Sequence, residues 1–221
     1  MGKNKLEHFA ETATFSHFFQ PTYDELVDGF ELKGKWNCDF FENQNPLIIE
    51  LGCGKGEYSV GLAARYPQKN FIGMDQKGAR MWRGAKTALE DDMLNVAFVR
   101  TKIEHTAYFF DNNEVDEIWI TFPDPHLKDR EIKKRLTSPR FLNMYKQFLK
   151  PGGLIHLKTD NSGLFKYTLN LIEEEKHQLH YKTFDLYNSG YDGDAPAIKT
   201  YYEKIFTAKG HKINYLNFSL R

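Results

Sequence analysis

The residues that first suggest chemistry are Glu50, the alternating Gly52, Gly54 and Gly56, and Asp75. Glycines so spaced let the backbone take positive φ angles and set main-chain N–H groups against a ligand with no Cβ in the way. A dinucleotide fingerprint would run G-x-G-x-x-G and seat a pyrophosphate on the following helix. Here the third glycine comes one residue early, and Glu50 sets a carboxylate beside the turn, which suits a cation better than a diphosphate. S-adenosylmethionine, with an α-amino group, a sulfonium and no phosphate, fits such a turn, and Gly52 and Gly54 would cradle it. Asp75 ends the next apolar run, where a carboxylate accepts both hydroxyls of a ribose.

A second candidate is Asp124, in Thr121-Phe122-Pro123-Asp124-Pro125-His126. Prolines on both sides stiffen the loop and fix where the carboxylate points; a solvated turn aspartate is the bland alternative. The loop runs on into Lys133-Lys134-Arg135. From His126 to Lys150 eight Lys or Arg stand against two acids, Asp129 and Glu131, in a chain whose 30 basic and 30 acidic residues otherwise cancel. A neutral protein is no generic polyanion binder, so a segregated basic run beside a presumed active-site rim reads as phosphate contacts rather than only a solvated helix face.

The elements that must position these groups alternate. Apolar runs at 46–51, 70–74, 96–100, 115–121 and 154–158 read as strands. Segments 57–66, 77–92, 138–149 and 162–176 read as helices, the second presenting Ala79, Trp82, Ala85 and Leu89 on one face. A closing strand pair is expected at 179–187 and 201–207. The expected fold is α/β, Rossmann-like, with a mostly parallel sheet, helices on both faces and an antiparallel C-terminal strand pair. In such sheets ligands bind beyond the carboxyl ends of the strands.

At 221 residues one catalytic domain, 46–221, is expected, with residues 1–45 as an aromatic-rich arm packing on it. Two cysteines, Cys38 and Cys53, no apolar span of membrane length and no leader pattern point to a cytoplasmic setting. No metal-ligand spacing is present. Met-Gly-Lys-Asn-Lys-Leu lacks the hydroxyl residue that a myristoylation signal wants at its sixth position.

IIELGCGKG (48–56), FPDPHLKDREIKKRL (122–136), KTDNSGLF (158–165) and TYYEKIF (200–206) occur in this order. Together they make the chain resemble the bacterial tRNA (guanine-N7)-methyltransferases. The resemblance implies transfer of a methyl group from S-adenosylmethionine to N7 of a variable-loop guanine in tRNA. It implies Glu50 and Asp75 as cofactor contacts, Asp124 as the catalytic aspartate, and Lys128, Asp160, Thr200 and Glu203 around the substrate. Residues 130–135, among them Arg130, Lys133, Lys134 and Arg135, would be the tRNA-contacting stretch, in a monomer or homodimer. Two positions depart from the family pattern. His126 stands where many relatives have Trp, and Lys102 where many carry an acid on the adenine side, a role that backbone groups of residues 101–103 could take. The competing classes are another S-adenosylmethionine enzyme acting on a small molecule or protein, a nicotinamide-dependent oxidoreductase, and a non-catalytic RNA-binding module.

Overall fold

The computed structural model describes residues 4–221; the first three residues of the lipidation signal considered above lie outside the described residues. The chain begins with helix α1 (Asn4–Thr12), a two-residue strand β1 (Phe18–Phe19) and a short helix α2 (Tyr23–Asp28). Then come β2 (Leu47–Leu51), α3 (Glu57–Arg65), β3 (Asn70–Asp75), α4 (Gly78–Glu90), β4 (Val96–Arg100) and β5 (Val115–Thr121). The C-terminal half holds α5 (Pro139–Tyr145), β6 (Leu149–Thr159), α6 (Ser162–Glu174), β7 (Gln178–Thr183), α7 (Tyr201–Ala208) and β8 (Asn214–Ser219).

The strands form one eight-stranded sheet in the order β1-β4-β3-β2-β5-β6-β8-β7. Every pairing from β1 to β6 is parallel, and β8 runs antiparallel to both β6 and β7. Successive side chains of a strand point to opposite faces, and the core divides accordingly. Leu47 and Ile49 pack with Ile118, Phe141 and Phe165 on one face, while Ile48 packs with Tyr58, Leu62 and Met81 on the other. Helices α5 and α6 therefore cover the first face and α3 and α4 the second. Strand order reverses between β2 and its neighbours β3 and β5, and a crevice opens there.

The aromatic residues before position 46, which show no clean period, have specific places. Phe18 and Phe19 extend the sheet by pairing with Phe98 and Val99. Trp36 is fully buried and donates its indole N–H to the Phe109 carbonyl (2.9 Å). On α4 the buried residues are Gly78, Met81, Gly84, Ala85 and Ala88, and Leu89 is exposed, so the buried face is rotated from the one read in the sequence.

Two elements differ from expectation. Residues 201–207, read as a strand, form α7, and the last strand is β8. The cause is a capping box: the Thr200 hydroxyl accepts the Glu203 N–H, the Glu203 carboxylate accepts the Thr200 N–H, and the reciprocal pair starts a helix. The helix expected over 138–149 ends at Tyr145, and Leu149 already belongs to β6. Residues Pro151, Gly152 and Gly153 lie inside β6 as an irregularity, where the β5 register jumps from Val115 opposite Leu149 to Glu117 opposite Leu154.

Candidate active site

A cleft of about 780 Å³ opens at the carboxyl ends of β2, β3, β4, β5 and β6. One wall is the glycine turn. The N–H groups of Gly52 and Cys53 both donate to the Met74 carbonyl (2.8 and 3.0 Å), which pins the turn to β3. Gly52 and Gly54 have φ of 79° and 56°, and a Cβ on either would meet nothing within 4 Å, so the ground above the turn is open to a ligand. Gly56 differs: a Cβ there would lie 2.6 Å from the Phe98 ring and 3.2 Å from the Gly84 Cα. The early third glycine thus admits the close packing of α4 against the turn.

Asp75 lines the cleft, its two oxygens accepting the N–H groups of Gly54 (3.0 Å) and Lys77 (2.8 Å). Each oxygen keeps a lone pair. Lys102 is exposed on the same wall, in an extended conformation after β4.

Glu50, expected to face a cation in the cleft, lies beneath the turn, 3% exposed and not among the lining residues. Its carboxylate accepts the Ser59 N–H (3.0 Å) and hydroxyl (2.6 Å) on one oxygen and the Thr121 hydroxyl (2.7 Å) on the other. It ties β2, the start of α3 and the end of β5 together. Burial pushes its carboxyl up to about 7, against the lowering effect of the three hydrogen bonds.

The opposite wall carries Asp124, exposed and facing the cleft, with Phe122, His126 and Lys134. Phe122 and His126 flank the two prolines with φ of 49° and 43°, a conformation that costs a residue bearing a Cβ roughly 1–2 kcal/mol. The loop is held from behind by Arg135. Expected as a phosphate contact, Arg135 is instead 9% exposed, donating to the carbonyls of Pro125 (3.0 Å) and His126 (3.1 Å) and lying over the Tyr167 ring. The planar guanidinium fork suits two adjacent carbonyls. Lys128, Arg130, Lys133 and Lys134 are exposed, and of these Lys134 reaches the cleft.

Asp160 lines the cleft beyond β6, its nearest side-chain partner being His211 (3.4 Å). It does not cap the following helix: Asn161 caps α6 by accepting the Leu164 N–H (2.8 Å). Thr200 also lines the cleft. Glu203, expected around the substrate, has no exposed surface and pairs with Lys158 (2.9 Å) inside the protein.

Sequence reasoning missed Lys158, and also Tyr202 and Phe206, which join Phe122 as an aromatic strip along the cleft. A signal for Lys158 was present: one lysine in the apolar run LIHLKT of a central strand must find an internal counter-charge. Among the described residues no three His, Cys, Asp or Glu are grouped to hold a metal ion, and no helix is long and apolar enough to cross a membrane.

Known proteins share this chain's sequence and fold. The family described as "Putative methyltransferase" matches residues 44–216. A protein of Christiangramia forsetii called tRNA (guanine-N(7)-)-methyltransferase is 51% identical over 99% of both chains. One of the same description from Bacteroides thetaiotaomicron is 50% identical over the whole of this chain and 87% of that protein. Among solved structures, the 16S rRNA methyltransferase KamB superposes with a TM-score of 0.63 at 12% identity, covering 82% of this chain and 90% of that one. At that identity the likeness shows the fold alone.

Proposed function

The chain belongs to the tRNA (guanine-N(7)-)-methyltransferase family, and from that premise we propose how its cleft divides the work between two walls. S-adenosylmethionine is held on the wall of Gly52, Gly54 and Asp75, and a tRNA guanine is presented at Asp124. The residues fit the cofactor: open space over two glycines admits the amino-acid part, and the free lone pairs of Asp75 suit ribose hydroxyls. Lys102 borders the adenine side, where the backbone of residues 101–103 offers the polar contacts. Glu50 acts on the cofactor from below, by fixing the turn that touches it.

Bound there, the cofactor supplies an electrophilic methyl group on a sulfonium. Guanine N7 offers a lone pair and has no proton to lose, so the site needs no general base and His126 is given no such role. What it needs is alignment and a home for the positive charge that arises on the purine. Asp124 meets both needs, accepting from the N1–H and amino donors of guanine or standing beside the ring as it becomes cationic. A carboxylate about 4 Å from a unit charge at an effective dielectric near 20 is worth ~4 kcal/mol. Asp160 and Thr200 border the same space. Lys128, Arg130, Lys133 and Lys134 contact tRNA phosphates, with Arg135 holding the loop that carries Asp124. A cytoplasmic setting, where tRNA is processed, completes the reading.

The observation that carries the proposal is that Asp75 and Asp124, apart in sequence, face one cleft at the switch point of the sheet. The test is incubation with unmodified tRNA and methyl-labelled cofactor, with the labelled base located by mass spectrometry. Label at N7 of a variable-loop guanine supports the reading; label elsewhere, or none, refutes it.

A further inference from the structure

Lys158 and Glu203 are a buried titratable pair that methyl transfer does not itself use. Both side chains have no exposed surface. An ammonium has three donors, and three acceptors surround this one: the Glu203 carboxylate (2.9 Å), the Ala195 carbonyl (2.5 Å) and the Ile198 carbonyl (3.0 Å). Glu203 is equally committed, taking the Thr200 N–H (3.3 Å) and Lys158 on one oxygen and the Tyr187 hydroxyl on the other. The ammonium also lies over the rings of Tyr58 (5.3 Å) and Tyr187 (5.9 Å).

The location gives the pair its meaning. Lys158 stands on β6, two residues before Asp160. Its partners lie in residues 195–203, a segment of irregular chain followed by the first turn of α7. That segment delivers Thr200 and Tyr202 to the cleft, and the helix it starts carries Phe206 there. Residues 195–203 are also tied to more distant parts of the chain by the Tyr201 N–H on Glu57 (2.8 Å), by the Lys55 ammonium over the Tyr201 ring (3.7 Å) and by the Lys199 ammonium over the Tyr187 ring (4.1 Å), but the buried ties run through Lys158 and through Tyr187 on Glu203. An ion pair placed here is weak evidence for net stability, because the desolvation of both charges offsets their attraction. It is strong evidence for fixed geometry, since each donor and acceptor has one satisfied arrangement.

We infer that Lys158 and Glu203 are positioning residues that fasten the start of α7 against β6 and so set the tRNA-facing wall of the cleft, without touching the cofactor. This rests on the functional reading above and gives Glu203 a different role from direct substrate contact. Lys158 and Glu203 share no described hydrogen bond with Met74, Asp75 or Glu50, which hold the glycine turn; the turn's far side meets the start of α7 at Tyr201, through the Glu57 carboxylate and the Lys55 ammonium.

The experiment compares Lys158→Met, Glu203→Gln and the double variant in three measurements: S-adenosylhomocysteine affinity by calorimetry, steady-state methylation of tRNA, and the rate of tryptic cleavage after Lys199. For Lys158→Met the expected result is cofactor affinity within about twofold of wild type, faster cleavage after Lys199, and kcat/KM for tRNA lower by on the order of a hundredfold, the scale of an ångström-sized misplacement. Glu203→Gln should show the same pattern more weakly. The double variant should lose no more than Lys158→Met alone, because one clasp is broken once. Either single variant with kcat/KM for tRNA within a few-fold of wild type overturns the inference. So does a loss of S-adenosylhomocysteine affinity in parallel with tRNA activity, or a failure of both variants to fold, since the pair would then be a general folding element. Wild-type protein inactive on tRNA would refute the functional reading instead, and the cleavage rate would still report on the clasp.

Discussion

The two walls of the cleft are built by different means. The glycine wall is local: a strand, a tight turn and a helix start within residues 47–59, with Asp75 from the neighbouring strand and a buried carboxylate underneath. The wall that we propose receives the tRNA guanine is assembled from distant pieces, namely the loop after β5, the end of β6 and the start of α7. Arg135 behind Asp124 and Lys158 behind Thr200 hold it in place. In the first wall geometry follows from backbone chemistry at a few glycines. In the second it follows from two internal cations that each gather backbone carbonyls. The difference teaches where each wall is vulnerable, and it makes them separable by mutation.

The largest effect should come from the far wall. Asp124→Asn, nearly isosteric but neutral, is expected to slow single-turnover methylation by on the order of a thousandfold at saturating tRNA and cofactor, the equivalent of ~4 kcal/mol. Residual amide dipole and solvent screening trim this figure. Calorimetry on the same protein should return wild-type affinity for S-adenosylhomocysteine; a rate within a few-fold of wild type would move the search to Asp160.

Asp75→Ala is the converse break. Losing a charged acceptor for ribose hydroxyls should weaken S-adenosylhomocysteine binding by roughly ten- to a hundredfold, while the protein stays folded by circular dichroism. Unchanged affinity would remove Asp75 from the site.

A smaller effect sharpens the contrast within the basic run. Replacing the exposed Lys133 and Lys134 by Ala should flatten the salt dependence of tRNA binding, each lost phosphate contact taking roughly 0.7–0.9 from the log–log slope. Arg135→Ala should leave that slope alone and lower the methylation rate, because this side chain supports the Asp124 loop. Equal slope changes in the two variants would contradict its inward role.

The smallest effect concerns Glu50. Burial pushes its carboxyl from the ordinary value of 4.5 up to about 7, so between these values the folded protein holds a proton that the unfolded chain lacks. Its stabilising contribution is fully present below about pH 4.5 and is lost as pH rises through about 7. Glu50→Gln, which stays neutral and keeps an acceptor for Ser59, should therefore show a smaller fall in Tm than wild type between about pH 5 and pH 8. Parallel pH profiles would contradict the raised value.

Much of this was legible in the sequence for a physical reason. Motifs whose meaning is local, such as a strand end, a glycine turn or a proline-braced aspartate, carry their geometry in adjacent residues, and Gly52, Gly54, Asp75 and Asp124 do line one cleft. Residues whose role depends on what lies across the fold were misread. Arg135 and Glu203 look like surface charges in a charged stretch, and only the chain folding back reveals the carbonyls and the ammonium they meet. The 201–207 segment was misassigned for a different reason. Its capping box, Thr200 with Glu203, is a local signal that outranks the β propensity of TYYEKIF.

In the proposed arrangement one cleft holds the cofactor on the Asp75 wall with its methyl-bearing end toward Asp124. A crystal structure with S-adenosylhomocysteine tests it most directly. Ribose hydroxyls are expected on the Asp75 carboxylate, the amino-acid part over Gly52 and Gly54, and the sulfur facing Asp124. A nucleoside bound away from Asp75, or a sulfur turned from Asp124, would contradict it.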